Sequence, residues 1–190
     1  MAKTIKIKKG LSINLKGEAP HTVLPAAKGS NVYALVPDFY TGVVPKPAVK
    51  VGDSVAKGDA VFYDKRYPEM KFVAPVAGTI KAINRGAKRH ILNIEIASEA
   101  SEQNEREFAP LDVDKASADE IKARLLESGL WGFIKQRPYD IVAHPDIVPR
   151  DIFVTALFTA PLAPDFAYVV EGRQAHLELA LKALRKLTPG

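Results

Sequence analysis

Short alternating apolar stretches between glycine-bearing turns dominate the middle of the chain. Residues 49–80 read VKVGDSVAKGDAVFYDKRYPEMKFVAPVAGTI. Successive side chains of a strand point to opposite faces, so alternation of apolar and polar residues predicts strands. Four are predicted here: Val49–Val51, Ala60–Tyr63, Phe72–Ala74 and Thr79–Ile80. Gly52-Asp53 and Gly58-Asp59 suit the tight turns between them. Several short strands with regular turns indicate a small β-sandwich or barrel.

Two further strands flank this stretch. Asn31–Pro37 is apolar and closes at a proline, and Ile91–Ile96 follows a turn at Asn84-Arg85-Gly86. In the second strand Leu92, Ile94 and Ile96 share one face unless a bulge shifts them. We therefore predict N-terminal strands and an extended segment over 1–30, including Ile5–Ile7 and Leu11–Leu15. A β-domain over 31–98 and a polar linker over 99–112 follow.

Helical signals replace strand signals after the linker. Ser117 and Glu120 form a capping box at the start of a helix predicted over 118–128, and Gly129 ends it. A second amphipathic helix is predicted over 173–187, with Leu177, Ala180, Leu181 and Leu184 facing inward.

The segment between the two helices carries further signals. We predict a helical turn in Leu130–Tyr139 ended by Pro138, and a strand at Ile152–Phe158 buried on both faces. Residues 113–190 therefore read as the start of an α/β domain. Because a parallel strand is due after the last helix, we expect the chain to be truncated at its C-terminus.

Composition and charge exclude some kinds of binding site and favour certain kinds of partner. The chain has no cysteine, which excludes disulfides, thiolate metal sites and protein-held iron–sulfur clusters within it. Residues 1–100 hold 16 Lys/Arg and 8 Asp/Glu, whereas residues 101–190 hold 11 and 14. The basic half suits lipid headgroups, an acidic partner or a phosphate-bearing ligand, or is simply a solvated surface. No nucleic-acid-binding motif, signal peptide or transmembrane segment is present in the sequence.

Motifs that carry catalysis are missing from the sequence. There is no G-x-G-x-x-G, P-loop, H-E-x-x-H or G-x-S-x-G motif, and the four histidines are scattered. We predict no catalytic residues and no metal site. Met70-Lys71 resembles the modified pair of biotinyl and lipoyl carriers, but Lys71 lies close to Ala74-Pro75, on the returning strand rather than at the hairpin tip. We therefore predict no covalent attachment.

Two aromatic segments have the chemistry to hold a flat, amphipathic ring. In the first, Trp131 and Phe133 precede Lys135 and Arg137, so that aromatics can stack on the ring while a cation polarises a carbonyl oxygen. The second segment places Phe39-Tyr40 after Tyr33. The alternative for both is that these aromatics belong to a core or an interface.

The order of several segments resembles a known family nearly end to end. They are IKIKKGL at 5–11, FYDK at 62–65, FVAPVAGT at 72–79, INRGAKR at 83–89, ESGLW at 127–131, Arg137-Pro138, IFVTA at 152–156 and PLAPD at 161–165. Together they resemble the A subunit of the bacterial Na⁺-translocating NADH:quinone reductase, whose chain is more than twice as long. A related alternative, the C subunit of ferredoxin:NAD oxidoreductases, has a nucleotide-binding glycine-rich loop where this chain has Gly129-Leu130-Trp131-Gly132.

The resemblance implies a mixed α+β fold, in which a barrel-sandwich hybrid β-domain precedes part of a Rossmann-like α/β domain. It implies a peripheral subunit on the cytoplasmic face of the bacterial inner membrane, at the quinone end of the complex. We expect no tightly bound redox cofactor, ubiquinone as the substrate of the complex, and flavins and an iron–sulfur centre in partner subunits. Candidate quinone-binding residues are Trp131, Phe133, Arg137, Phe39 and Tyr40. The alternatives are a stand-alone carrier domain and a subunit that binds flavin or NADH.

Overall fold

The computed structural model of the chain describes residues 29–98 and 104–189, apart from 157, 159 and 161, together with residues 6, 9–10 and 22–23. Apart from Lys6, the strands predicted at Ile5–Ile7 and Leu11–Leu15 lie outside the described residues. The domain limits predicted at residues 30, 98 and 112 stay predictions.

Two antiparallel sheets form the β-domain. The first sheet has the strand order β1-β7-β6-β3 and the second has the order β2-β4-β5. Their bounds are β1 Val32–Leu35, β2 Pro45–Pro47, β3 Ser54–Val55, β4 Ala60–Asp64, β5 Lys71–Val73, β6 Gly78–Arg85 and β7 Ile91–Ser98. The predicted strands at 31–37, 60–63, 72–74, 79–80 and 91–96 are thus confirmed within a residue or two at most ends. β6 is the main difference, because it runs on to Arg85.

Side chains from both sheets meet in one apolar core. Ile80, Ile94 and Ile96 come from the first sheet, while Phe62 and Phe72 come from the second, and all five are almost completely buried. The pairing of β6 with β7 shifts its register at Ile80/Ala82 and again at Asn84/Arg85. The second shift puts Ile91 inside and Leu92 outside, so the bulge alternative for this strand is correct.

The prediction of a strand at Val49–Val51 is wrong. This segment is a turn, in which the Asp53 carboxylate accepts a hydrogen bond from the backbone N–H of Lys50 at 2.7 Å. The Asp53 N–H in turn donates to the Lys50 carbonyl oxygen at 3.1 Å. Aspartate supplies a local acceptor that competes with strand pairing, and the apolar alternation is too short to outweigh it.

The helix predicted after the linker is confirmed as α1, Ala118–Glu127. The Ser117 hydroxyl accepts from the Glu120 N–H, and the Glu120 carboxylate accepts from the Ser117 N–H at 2.8 Å, which completes the capping box. Gly129 follows with a left-handed backbone at φ 78°. A Cβ at this position would lie 3.0 Å from the Val73 side chain, so glycine also allows α1 to close onto strand β5.

The segment after α1 differs in part from its prediction. A 3₁₀-helix covers Leu130–Phe133 and ends well before Pro138. The chain then forms a two-stranded hairpin, with β8 at Lys135–Gln136 and β9 at Ile141–Val142. The hairpin joins the β-domain, since the Val142 N–H donates to the Thr41 carbonyl oxygen at 2.9 Å.

The prediction of a buried strand at Ile152–Phe158 is wrong for the described residues of that segment. Residues 151–156 have no regular secondary structure, and the Phe153 side chain is 91% exposed. A β-branched run becomes a strand only when a neighbour completes its backbone hydrogen bonds. The described part of the chain places no such neighbour beside it.

The second predicted helix is confirmed as α3, Gln174–Arg185, and a four-residue helix, α2, covers Phe166–Val169. The prediction that four residues of α3 face inward is only partly confirmed. Leu177 and Leu184 are half-buried, whereas Ala180 and Leu181 are exposed. The helix is therefore amphipathic but has no fully buried residue among the described positions.

Candidate functional site

A stack of aromatic rings connects the β-domain to the predicted site residues. The Tyr40 ring lies 4.4 Å from the Phe72 ring and 6.1 Å from the Phe62 ring, between centroids. Phe133 meets Tyr40 edge to face at 6.5 Å and is itself 72% exposed. Partial burial raises the pKa of the Tyr40 phenol above its ordinary value, so the ring is neutral at physiological pH. Tyr40 and Phe133 thus form an aromatic face with Phe72 behind it.

Gly132 lets the 3₁₀-helix approach this stack closely. A Cβ at Gly132 would lie 2.8 Å from Cε1 of Phe72 and 3.0 Å from Cε1 of Tyr40. The first distance is shorter than carbon–carbon contacts allow and the second is unusually tight, so a side chain would fit only if the rings shifted. Gly132 therefore allows the 3₁₀-helix to pack closely against the rings of Phe72 and Tyr40.

Trp131 belongs to the buried core, with only 5% of its surface exposed. Its indole Nε1–H donates to the Ala143 carbonyl oxygen at 2.7 Å, which satisfies a polar group that would otherwise be buried without a partner. The indole belongs to the same apolar cluster as Phe72, Leu126 and Val142. Trp131 therefore ties the helix α1 region to the hairpin β8–β9.

Trp131 is one of the residues that line a cleft of about 350 Å³. Its apolar lining includes Pro145, Ile147, Val148 and Leu187. Clefts of a few hundred Å³ with apolar walls and a few polar groups are typical of small-molecule sites.

The amines of Lys122 and Lys186 provide the positive charge in this lining. The Lys186 Nζ donates to the carbonyl oxygens of Asp114 and Ala116 at 2.9 and 2.8 Å, so it is already engaged. Among the described residues, the Lys122 ammonium has one ion-pair partner, the Asp119 carboxylate at 3.3 Å. The Lys122 ammonium is the donor of this pair that can turn to a ligand oxygen.

The five predicted quinone residues are therefore only partly brought together. Tyr40 and Phe133 are in contact, and Trp131 lies in the buried core. Phe39 is 78% exposed, and Arg137 is exposed with its guanidinium 3.3 Å from the Asp140 carboxylate. Among the described residues, no ring or ion contact joins Phe39 or Arg137 to the other three.

Lys122 and Leu187 belong to the cleft but were missed from the sequence. Lys122 looks like any solvated lysine of α1, and Leu187 lies 56 positions after Trp131. No local pattern relates the C-terminal end of α3 to Trp131, so only the folded chain shows the proximity.

Metal ligation requires several suitable side chains in one place, and membrane crossing by a helix requires a long apolar stretch. In the parts of the chain that the structure describes, no group of three or more His, Asp or Glu side chains is arranged to hold a metal ion. Within the same ranges, no helix has both the length and the apolar character needed to cross a bilayer.

Lys71 lies on β5, paired with Tyr63 of β4, which agrees with its predicted position on the returning strand.

Family comparison agrees with the architecture. The family model described as the NqrA N-terminal barrel-sandwich hybrid domain matches residues 5–99. The model described as the NqrA second alpha/beta domain matches residues 116–190. The predicted combination of a barrel-sandwich hybrid β-domain with part of an α/β domain is thereby confirmed.

Individual relatives carry one shared name, the A subunit of the Na⁺-translocating NADH-quinone reductase. The chain is 37% identical over 187 residues to the protein of that name from Shewanella amazonensis, covering 98% of this chain and 42% of that protein. It is 39% identical over 184 residues to the one from Pseudomonas aeruginosa, covering 96% and 41%. The one from Neisseria meningitidis is 38% identical over 185 residues, covering 97% and 41%.

The chain spans about two fifths of the length of these relatives. Within that span, the two family matches follow each other in the order of the two regions described above. The chain belongs to the NqrA family, the A subunits of the Na⁺-translocating NADH-quinone reductase.

Proposed function

We propose that this chain works in a Na⁺-translocating NADH:ubiquinone oxidoreductase, where it contributes to the quinone end and to assembly. It does so without a tightly bound redox group of its own, while flavins and an iron–sulfur centre in partner subunits carry the electrons. Its place is peripheral, on the cytoplasmic face of the bacterial inner membrane. The shared name of relatives that align with 96–98% of the chain supports this assignment. On its own, the chain is not expected to catalyse the reaction.

The cleft beside Trp131 is the observation that supports a quinone role most directly. A quinone head is a flat ring with two opposed carbonyl oxygens. Trp131 and the apolar residues of the lining suit the ring, and the Lys122 ammonium can donate to one oxygen. The aromatic face formed by Tyr40 and Phe133 is a second candidate site for the quinone ring. Phe39 and Arg137 are exposed and stay candidate quinone contacts.

The sole tryptophan of the chain gives a direct test. A short-chain ubiquinone analogue is titrated into the protein, and Trp131 fluorescence is followed. Saturable quenching supports the proposal, because a bound quinone lies close to the indole. The absence of saturable quenching, in the chain and in a longer form of the protein, contradicts it.

Variants separate the two places. Lys122→Met removes one hydrogen bond, for which we expect roughly fivefold weaker binding, and Val148→Asp puts a charge in the apolar lining. Phe133→Ser and Arg137→Gln test the aromatic face. Leu179→Ser is the matched control, because Leu179 is a half-exposed apolar residue that does not line the cleft. Loss of affinity in Phe133→Ser but not in Lys122→Met moves the quinone to the aromatic face.

The alternative, a role in flavin or NADH binding, has less support. Gly129 faces Val73, and Gly132 faces Phe72 and Tyr40, so neither glycine lines open space that could hold a pyrophosphate. A yellow preparation with stoichiometric flavin would restore this alternative. Similarly, an intact mass increased by biotin or lipoate would restore the carrier alternative.

A further inference from the structure

The turn between β6 and β7 carries a concentration of positive charge. Arg85, Lys88 and Arg89 lie within five positions, and all three are exposed. Lys88 and Arg89 both have a left-handed backbone, with φ of 53° and 64°. The Arg85 guanidinium donates to the Arg89 carbonyl oxygen at 3.0 Å, which fixes the turn without neutralising either charge. We call these three residues the basic tip.

None of the three charges has a carboxylate partner within the described ranges. Some other surface cations of this protein are paired, for example Lys57 with Glu105 at 2.6 Å and Lys182 with Asp114 at 3.3 Å. Next to the tip, Asp38 is occupied by the His90 imidazole at 2.9 Å. The basic tip therefore presents three uncompensated cations to the solvent.

Apolar side chains flank the tip. Leu92 is half-exposed, and its side chain lies against Gly86, where a Cβ would be 3.2 Å from Leu92 Cδ2. The Asp38–His90 contact brings the short helix Pro37–Phe39 to the same end of the sheet, and Phe39 is among the most exposed apolar residues described. Cations at the level of exposed aliphatic and aromatic groups are characteristic of protein surfaces that enter the headgroup layer.

We propose that the basic tip docks on the anionic phospholipid headgroups of a membrane surface. The tip lies at the turn of the β6–β7 hairpin, and the phosphates of a fluid headgroup layer can gather around an exposed cationic turn. The excess of 16 Lys/Arg over 8 Asp/Glu in residues 1–100 adds long-range attraction to the same surface. The inference goes beyond quinone binding, and it is tested on vesicles that contain no quinone, so the two proposals fail separately.

The test is cosedimentation of the chain with vesicles. Vesicles of phosphatidylcholine with about one third phosphatidylglycerol are compared with vesicles of phosphatidylcholine alone. We expect binding only to the anionic vesicles, with loss at high salt because the Debye length shortens to about 3 Å near 1 M. Each cation at a membrane surface strengthens binding by about fivefold. Arg85→Gln/Lys88→Gln/Arg89→Gln should then bind roughly 100-fold more weakly.

A matched variant separates the tip from net charge. Lys65→Gln/Lys135→Gln/Arg173→Gln removes the same number of exposed charges away from the tip and should bind nearly as the wild type. Because Arg85 holds the turn, Lys88→Gln/Arg89→Gln provides a second tip variant that keeps this hydrogen bond. Leu92→Asn should weaken binding to a degree that salt does not change.

Three results would overturn the proposal: no binding of the wild type to anionic vesicles, equal loss in the tip and control variants, or unchanged binding in Lys88→Gln/Arg89→Gln. If the wild type does not bind vesicles, while Lys88→Gln/Arg89→Gln fails to assemble with membrane subunits, the partner of the basic tip is an acidic protein surface instead.

Discussion

The rings of Phe62 and Phe72 stack 4.5 Å apart between centroids, with only 8° between their planes. The two residues face each other across β4 and β5, and both are almost completely buried. Tyr40 then covers Phe72 and meets Phe133. The stacked rings of Phe62 and Phe72 therefore pack against Tyr40 and fix the position of the aromatic face on the β-domain.

Removal of one ring of the stack should destabilise the fold. Phe72→Ala should lower the free energy of unfolding by about 3–5 kcal/mol, because it loses apolar burial and leaves a cavity. Urea unfolding followed by Trp131 fluorescence measures this change. Phe153→Ala is the control and should change the value by less than about 0.5 kcal/mol, since Phe153 is almost fully exposed. A loss below about 1 kcal/mol in Phe72→Ala would show that the stack is not a structural centre.

The closeness of Gly132 to the rings gives a second prediction. Gly132→Ala should cost about 1–3 kcal/mol, because the new methyl group forces Phe72 or Tyr40 to move. The near-UV circular dichroism of the aromatic rings should change with it. Gly10→Ala is the matched control, since a Cβ there meets nothing within 4 Å. Equal stability of the two variants would contradict the close fit of Gly132 against the rings.

The buried Asp64 carboxylate depends on Arg66. Asp64 is 1% exposed, and it accepts from the Arg66 guanidinium at 2.8 and 3.2 Å and from the Arg66 backbone N–H at 2.8 Å. The hydrogen bond with Asp64 raises the pKa of Arg66 above its ordinary value.

Arg66→Met leaves this carboxylate without its counter-charge. We expect a loss of about 2–3 kcal/mol in the free energy of unfolding, below the full value for buried pairs because Arg66 is partly exposed. The double variant Arg66→Met/Asp64→Asn should recover part of the loss. Lys65→Met, its exposed neighbour, serves as the control. Additive losses in the double variant would mean that the two side chains are not coupled.

The capping box of α1 predicts a pH dependence. Hydrogen bonds from the backbone N–H and hydroxyl of Ser117 lower the pKa of the Glu120 carboxyl. A lowered pKa in the folded state means that ionised Glu120 stabilises the fold above its unfolded pKa, about 4.3. This contribution is lost as the pH falls through the folded value.

Glu120→Gln keeps a hydrogen-bonding side chain but cannot titrate. It should be less stable than the wild type at neutral pH, and the difference should shrink at an acidic pH below the ordinary carboxyl value of about 4.3. Urea midpoints at both pH values measure this. Glu171→Gln, which alters an exposed carboxylate after α2, should show no such convergence. A difference that grows on acidification would reverse the sign and exclude the capping explanation.

Local rules account for the features that could be predicted correctly from the amino-acid order alone. The Ser117–Glu120 box and Gly129 set the ends of α1 because capping involves residues three or four positions apart. The alternation of apolar and polar residues predicted most strands of the β-domain correctly, because one face of each sheet packs against a single core. The order of motifs likewise identified the family, since each motif is read within a few residues.

Features that depend on distant neighbours emerged only from the folded chain. The apolar run at 152–158 predicted a strand, but its described residues 152–156 have no pairing partner in the described part of the chain, and strand formation requires one. The cleft joins Trp131 to Lys122 and Leu187, which come from different elements. The basic tip is cationic in sequence, but only the fold shows that its charges are unpaired and flanked by Leu92. Contacts between residues far apart in the chain arise from packing, which no local pattern encodes.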